Sequence, residues 1–96
     1  MTTRPVRTPQ ELTERLELFV PRYLVMLHND DVNEMGYVVR SLVKCVPALS
    51  TQRAEEIMLE VHNNGRAVVI VCPLEQAELY RDRLTSCRLT TTIEKA

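Results

Sequence analysis

Two short clusters hold the side chains in this sequence best placed to do chemistry. The first is His28-Asn29-Asp30-Asp31, with Met35 and Val38 following closely; the second is Met58, Val61 and His62, at i, i+3, i+4. An imidazole next to a carboxylate, or next to one of the thiols of Cys45, Cys72 and Cys87, is the raw material of a metal site or an activated nucleophile. No such set falls at metal-ligand or triad spacing here. The signatures G-x-S-x-G, G-x-x-x-x-G-K-[ST] and H-E-x-x-H are absent, and with only two glycines in the chain a phosphate-cradling loop is set aside. We therefore expect no catalytic residue, no metal and no cofactor. Taken singly, the first cluster reads as a solvated turn with a helix cap. The second reads as a core-facing stripe with one satisfied histidine.

The elements that position these clusters follow from apolar periodicity. Arg22 to Leu27 is a run of aromatic, branched and long apolar residues, which predicts a strand that ends in a turn at the polar cluster. Asn33 stands where a helix cap is wanted, ahead of Met35, Val38, Val39, Leu42, Val43 and Val46, which share one helical face. Gly36 weakens the first turn of that helix, and Pro47 closes it. Ser50 or Thr51 can cap a second helix with Ala54, Ile57, Met58 and Val61 on one face, terminated by Gly65 in a left-handed conformation. Ala67 to Cys72 predicts a buried central strand. Pro73 then opens a third helix through Leu74, Ala77 and Leu84, and Leu89 to Ile93 predicts a last strand. The order βααβαβ predicts an α+β fold, a three-stranded antiparallel sheet with three helices packed on one face.

A length of 96 residues fits one domain. Residues 1–21 are rich in proline and charge, and although Leu12, Leu16 and Phe19 are spaced for a transient helix, a mobile N-terminal arm is expected ahead of a folded domain at 22–96. With 45% hydrophobic residues, 26% charged and a net charge of -1, the composition is that of a soluble globular protein and gives no bulk field for nucleic acid. The longest apolar run is too short to span a bilayer, and the N-terminus lacks the apolar core of a secretory signal. A cytoplasmic or equivalent stromal location is expected, with no membrane partner. Three widely spaced cysteines without C-x-x-C read as buried, reduced thiols.

Considered together, the two clusters resemble the ClpS family, adaptors that carry N-degron substrates to Clp-type AAA+ proteases. The resemblance rests on a strand followed by Asn29-Asp30-Asp31, the short interval to Met35 and Val38, and Met58-Leu59-Glu60-Val61-His62 before Gly65. It extends over roughly residues 22 to 96. It implies a fold like the C-terminal domain of the ribosomal stalk protein. It also implies recognition of a free N-terminal residue of bulky hydrophobic type, Leu, Phe, Tyr or Trp. By that likeness Asn29, Asp30 and His62 would hold the substrate's α-amino group; Met35, Val38, Met58, Val61 and Leu89 would line the side-chain pocket; Asp31 and Asn33 would shape the loop. Glu75 and Glu78 would dock on the N-terminal domain of a ClpA- or ClpC-type ATPase, with the arm helping delivery. Met35 would act as the gate against ligands branched at Cβ.

The sequence departs from that pattern in three places. Asn33-Glu34 replaces the usual Thr-Pro before Met35, the stretch around Thr85 to Arg88 is shorter than usual, and Tyr80 stands where a lysine is common. Two other readings stay open at this stage. One is a protein-protein interaction module of the same fold without an amine pocket, which has no need of Asn29, Asp30 and His62. The other is an enzyme using His62 with Cys45 or an aspartate.

Overall fold

A computed structural model describes residues 8–12 and 20–96. Its elements are β1 (Arg22–His28), α1 (Met35–Cys45), α2 (Thr51–Asn64), β2 (Arg66–Pro73), α3 (Leu74–Ser86) and β3 (Thr90–Lys95). The order is the expected βααβαβ. Much of the arm expected at 1–21, including Leu16 and Phe19, lies outside the described residues.

The apolar run 67–72, expected as the central strand, forms the edge strand β2 instead. β1 takes the centre because β2 and β3 both pair with it, and β2 is buried on one face only, with Val71 exposed. The strand order is β2-β1-β3, with both pairings antiparallel. Val25 and Leu27 of β1 enter the core under the helices, opposite Ile93 and Thr91 of β3. On the β2 side the register shifts between Val25 and Met26, so Val69 has no partner of its own between Val68 and Ile70. This extra residue is a β-bulge, and it reverses which residues face inward. Ala67 and Val69 are buried before the bulge; Ile70 and Cys72 pack on the core after it.

The helices bury the stripes that their spacing predicts. Leu42, Cys45 and Val46 come from α1 and its end, Ala54, Ile57 and Val61 from α2, Ala77 and Leu84 from α3. Leu27, Leu42, Ile57 and Leu84 are the largest of the fully buried side chains, each contributing about 1.5–3 kcal/mol of transfer free energy. Ser50 caps α2 as expected, its hydroxyl accepting the Arg53 N–H at 3.0 Å. Gly65 ends α2 with φ of 88°, a left-handed conformation that suits glycine.

Two boundaries differ from expectation. The N-cap of α1 is Glu34, with no side-chain cap bond, because the Asn33 side chain is turned to other partners. The last strand runs on to Lys95, since Glu94 and Lys95 still pair with Leu24 and Tyr23 of β1.

Candidate functional site

The end of β1 meets the end of α2. Gly65 reverses the chain there, and its carbonyl accepts the Asn29 N–H at 2.8 Å. That bond sets Asn29, the first residue beyond the central strand, beside the last turn of α2, which carries His62. Two residues separated widely in sequence thus come together because a left-handed cap frees one carbonyl to meet one strand-end amide.

Asp30 organises the loop that follows. Its Oδ1 accepts the backbone N–H groups of Val32 at 3.3 Å and Asn33 at 3.2 Å, an Asx turn. The Asn33 side-chain amide donates to both carboxylate oxygens, at 2.9 and 3.1 Å, and also to the Arg88 carbonyl at 3.0 Å. Thr90 Oγ1 donates to Oδ2 at 3.2 Å. An ionised carboxylate with several N–H and O–H donors around it is held in one rotamer, and Asn33 ties it to the segment joining α3 and β3.

That segment supplies the far wall. Arg88 has φ of 66°, in the left-handed region, and this turn brings the Leu89 N–H onto the Leu84 carbonyl at 3.1 Å. Leu89 is 4% exposed. Tyr37 on α1 donates its hydroxyl to the Cys87 carbonyl at 2.6 Å, fastening the same segment to the helix that bears Met35 and Val38.

Between these elements lies a cavity of about 270 Å³. Asn29, Asp30, Asp31 and His62 stand among its polar lining; Met35, Val38, Met58, Val61 and Leu89 supply apolar surface, with Asn33 at the loop. Every cavity residue expected from the sequence is therefore in one place. Met35 is 44% exposed, whereas Val61 is 6% exposed, so the former sits toward solvent and the latter toward the core. Glu75 and Glu78 are elsewhere, exposed on α3 and outside this lining.

Sequence reasoning missed Leu27, His28 and Glu34, which also line the cavity. Leu27 had a signal, since it ends the strand that delivers Asn29. His28 was named within the polar cluster, and its Nε2 lies 2.6 Å from Thr92 Oγ1 on β3. Glu34 enters only through the Asn33-Glu34 departure before Met35, which sets it at the rim of the expected pocket. Thr90, which fixes Asp30 from 60 residues away, had none.

Residues 20–92 match the family described as ATP-dependent Clp protease adaptor protein ClpS. An ATP-dependent Clp protease adapter protein ClpS of Synechococcus elongatus is 44% identical over 94 residues, covering 98% of this chain and 97% of that protein. One from Gloeobacter violaceus is 51% identical over 75 residues, covering 78% of this chain and 81% of the relative. A chloroplastic adapter of Arabidopsis thaliana is 38% identical over 92 residues, 96% of this chain and 58% of that longer protein. The structure of Agrobacterium tumefaciens ClpS2 bound to L-phenylalaninamide superposes with a TM-score of 0.66 at 25% identity, covering 79% of this chain and 98% of that one. Fold, cavity and sequence agree, and the chain belongs to the ClpS family, the adaptors of the ATP-dependent Clp protease.

Proposed function

We propose that the cavity receives the free N-terminal residue of a substrate protein, of the bulky hydrophobic type Leu, Phe, Tyr or Trp, and that the adaptor delivers that substrate to a Clp-type ATPase. The observation that carries this reading is one small cavity whose lining combines the carboxylate of Asp30, the amide of Asn29 and the imidazole of His62 with apolar surface from Met35, Val38, Met58, Val61 and Leu89. Its volume falls just below the roughly 300–1,000 Å³ of sites for drug-sized ligands. A single residue with its amine suits it better than a long peptide.

The chemistry matches an N-terminus in particular. An α-amino group, with an ordinary pKa of about 7.7–8.0, is largely a cation at neutral pH. The Asn29 amide oxygen, the Asp30 carboxylate and a His62 ring nitrogen are acceptors for it. Asp30 already accepts from its own loop, and its contact from Thr90, an exposed hydroxyl on another element, is the one that yields most readily to an incoming amine. Charge-assisted hydrogen bonds contribute about 1.5–3 kcal/mol each, and burying a Leu or Phe side chain adds a similar amount. After the cost of association, micromolar binding of roughly 8 kcal/mol needs both halves together. The relative that holds L-phenylalaninamide, an amine and an aromatic side chain in one molecule, supports the same division.

Exposed Glu75 and Glu78 on α3 are the proposed contact to the ATPase's N-terminal domain, on an element that leaves the cavity free. The bacterial and chloroplastic relatives support a cytoplasmic or stromal setting. The test is fluorescence anisotropy with peptides that differ only in the first residue (Leu, Phe, Tyr, Trp, Ile, Ala), with an acetylated control. Micromolar or tighter binding of a bulky member, lost on acetylation, is expected; Ile binds poorly because Met35 at the mouth meets the Cβ branch. Failure of every peptide overturns the reading and leaves an interaction module of the same fold.

A further inference from the structure

One close pair of thiols lies outside this chemistry. Cys45 is the last residue of α1 and 5% exposed; Cys87 follows the end of α3 and is half-buried. Both are free thiols, and their sulfurs are 3.4 Å apart. We infer that Cys45 and Cys87 are a redox-modification site, a dithiol that oxidises to an intramolecular disulfide tying α1 to the connection between α3 and β3. The inference does not depend on which ligand the cavity takes.

The geometry asks little of the fold. A disulfide bond of ~2.05 Å requires the sulfurs to close by about 1.4 Å, a distance that side-chain rotation and small backbone shifts can cover. The elements are already fastened beside the pair: Tyr37 donates to the Cys87 carbonyl, and the Arg83 guanidinium reaches the Cys45 carbonyl at 3.4 Å. Access decides the order of events. Burial, the hydrogen bond with Cys87 and its proximity push the Cys45 thiol up to about 11, against the opposing influence of Lys44 and Arg83. Cys87, the more exposed of the two residues, is therefore the entry point.

The oxidant is a small disulfide. The Cys87 thiolate attacks one of its sulfurs, the other sulfur leaves with the bonding electron pair as a thiolate, and a mixed disulfide forms on Cys87. That departing thiolate or solvent takes the Cys45 proton. Cys45 sulfur then displaces the second small thiolate from Cys87, closing the protein disulfide. Two protein thiols are oxidised while one small disulfide is reduced to two thiols, so atoms and electrons balance.

The clip joins two walls of the cavity, because α1 carries Met35 and Val38 while the linked connection carries Leu89. Cys72, buried in β2, provides an internal control. The experiment incubates the reduced full chain with oxidised glutathione, quenches in acid, alkylates under denaturing conditions, and reads intact mass and peptide maps. The expected product has lost two hydrogens, contains a peptide linking Cys45 to Cys87, leaves Cys72 alkylated, and is unchanged in Cys72→Ser. Cys45→Ser should stop at a glutathione adduct on Cys87. Oxidised wild-type chain should also melt at a higher temperature than reduced chain, because the crosslink restricts the unfolded ensemble. Three free thiols, an unresolved glutathione adduct in the wild type, a linkage through Cys72, or a lower melting temperature would each overturn the inference.

Discussion

Replacing Asn33 with alanine tests whether the acidic end of the cavity is held in place by its own loop. The Asn33 amide has two hydrogens. One is shared between the Asp30 oxygens at 2.9 and 3.1 Å, and the other goes to the Arg88 carbonyl at 3.0 Å. A hydrogen bond to a charged group contributes about 1.5–3 kcal/mol and a neutral one about 0.5–1.5, and partial exposure places both near the low end. Asn33→Ala should therefore lower folding stability by about 2 kcal/mol. In the variant Asp30 keeps its backbone donors but loses its side-chain clamp, so ordering it around a ligand costs about 0.5–1.5 kcal/mol. An N-terminal Leu or Phe peptide should then bind roughly 2- to 10-fold more weakly. Asn33→Asp is the sharper comparison. It preserves the shape but sets a second carboxylate about 3 Å from Asp30, where like charges repel by up to several kcal/mol even at a near-surface dielectric. Asn33→Asp should be less stable than Asn33→Ala despite its better fit. Urea unfolding and peptide anisotropy read the two quantities separately. An aspartate variant as stable as the alanine variant, or an alanine variant whose affinity stays within about twofold of wild type, would refute the clamp.

Other perturbations have their own signs. Leu89→Ala truncates a side chain that is both core and cavity wall, and should cost about 2–4 kcal/mol in chemical denaturation together with loss of peptide binding. The two glycines should respond in opposite directions to alanine. Gly36→Ala should stabilise α1 by about 0.5–1 kcal/mol, since the new Cβ meets only the flexible end of Arg40, 3.2 Å away. Gly65→Ala should destabilise by about 1–2 kcal/mol although its Cβ has open space, because φ of 88° strains any L side chain. At alkaline pH the raised Cys45 thiol makes its own contribution. The unfolded chain ionises near 9 and the folded one near 11, so stability is intact below pH 9 and falls by roughly 2–3 kcal/mol as pH climbs toward 11. Cys45→Ser should flatten that part of the pH-stability curve.

The regular elements were legible because their apolar residues repeat at the helix or strand period. The Ser50 cap and the Gly65 terminator were legible because each works within a few residues of itself. Asn33 misled for a physical reason. A cap would need its side-chain oxygen to accept a backbone N–H at the start of α1, but its NH2 donates to the Asp30 carboxylate and the Arg88 carbonyl, and those two bonds hold the side chain in a different orientation. The cavity residues were found through resemblance rather than periodicity. Spacing alone left Met58 and Val61 as core and His62 as a satisfied histidine beside them. Contacts such as Thr90 to Asp30 and Tyr37 to Cys87 span 60 and 50 positions, and nothing local announces them.

The unpartnered residue in β2 makes the strand's length a counted quantity. Before Val69 the inward positions are odd-numbered, and beyond it Ile70 and Cys72 take over on the even ones. Deleting Val69 alone would leave Ala67 and Val68 untouched yet close the ladder flush, keeping Cys72 opposite Tyr23 while removing a core side chain. Inserting a second residue there would instead ask the sheet to absorb two extra units against one partner. Changes of length in this stretch are thus sharply asymmetric. Loss should leave a folded but loosened domain, whereas gain should displace the chain toward Pro73, from which α3 and the cavity's far wall depart.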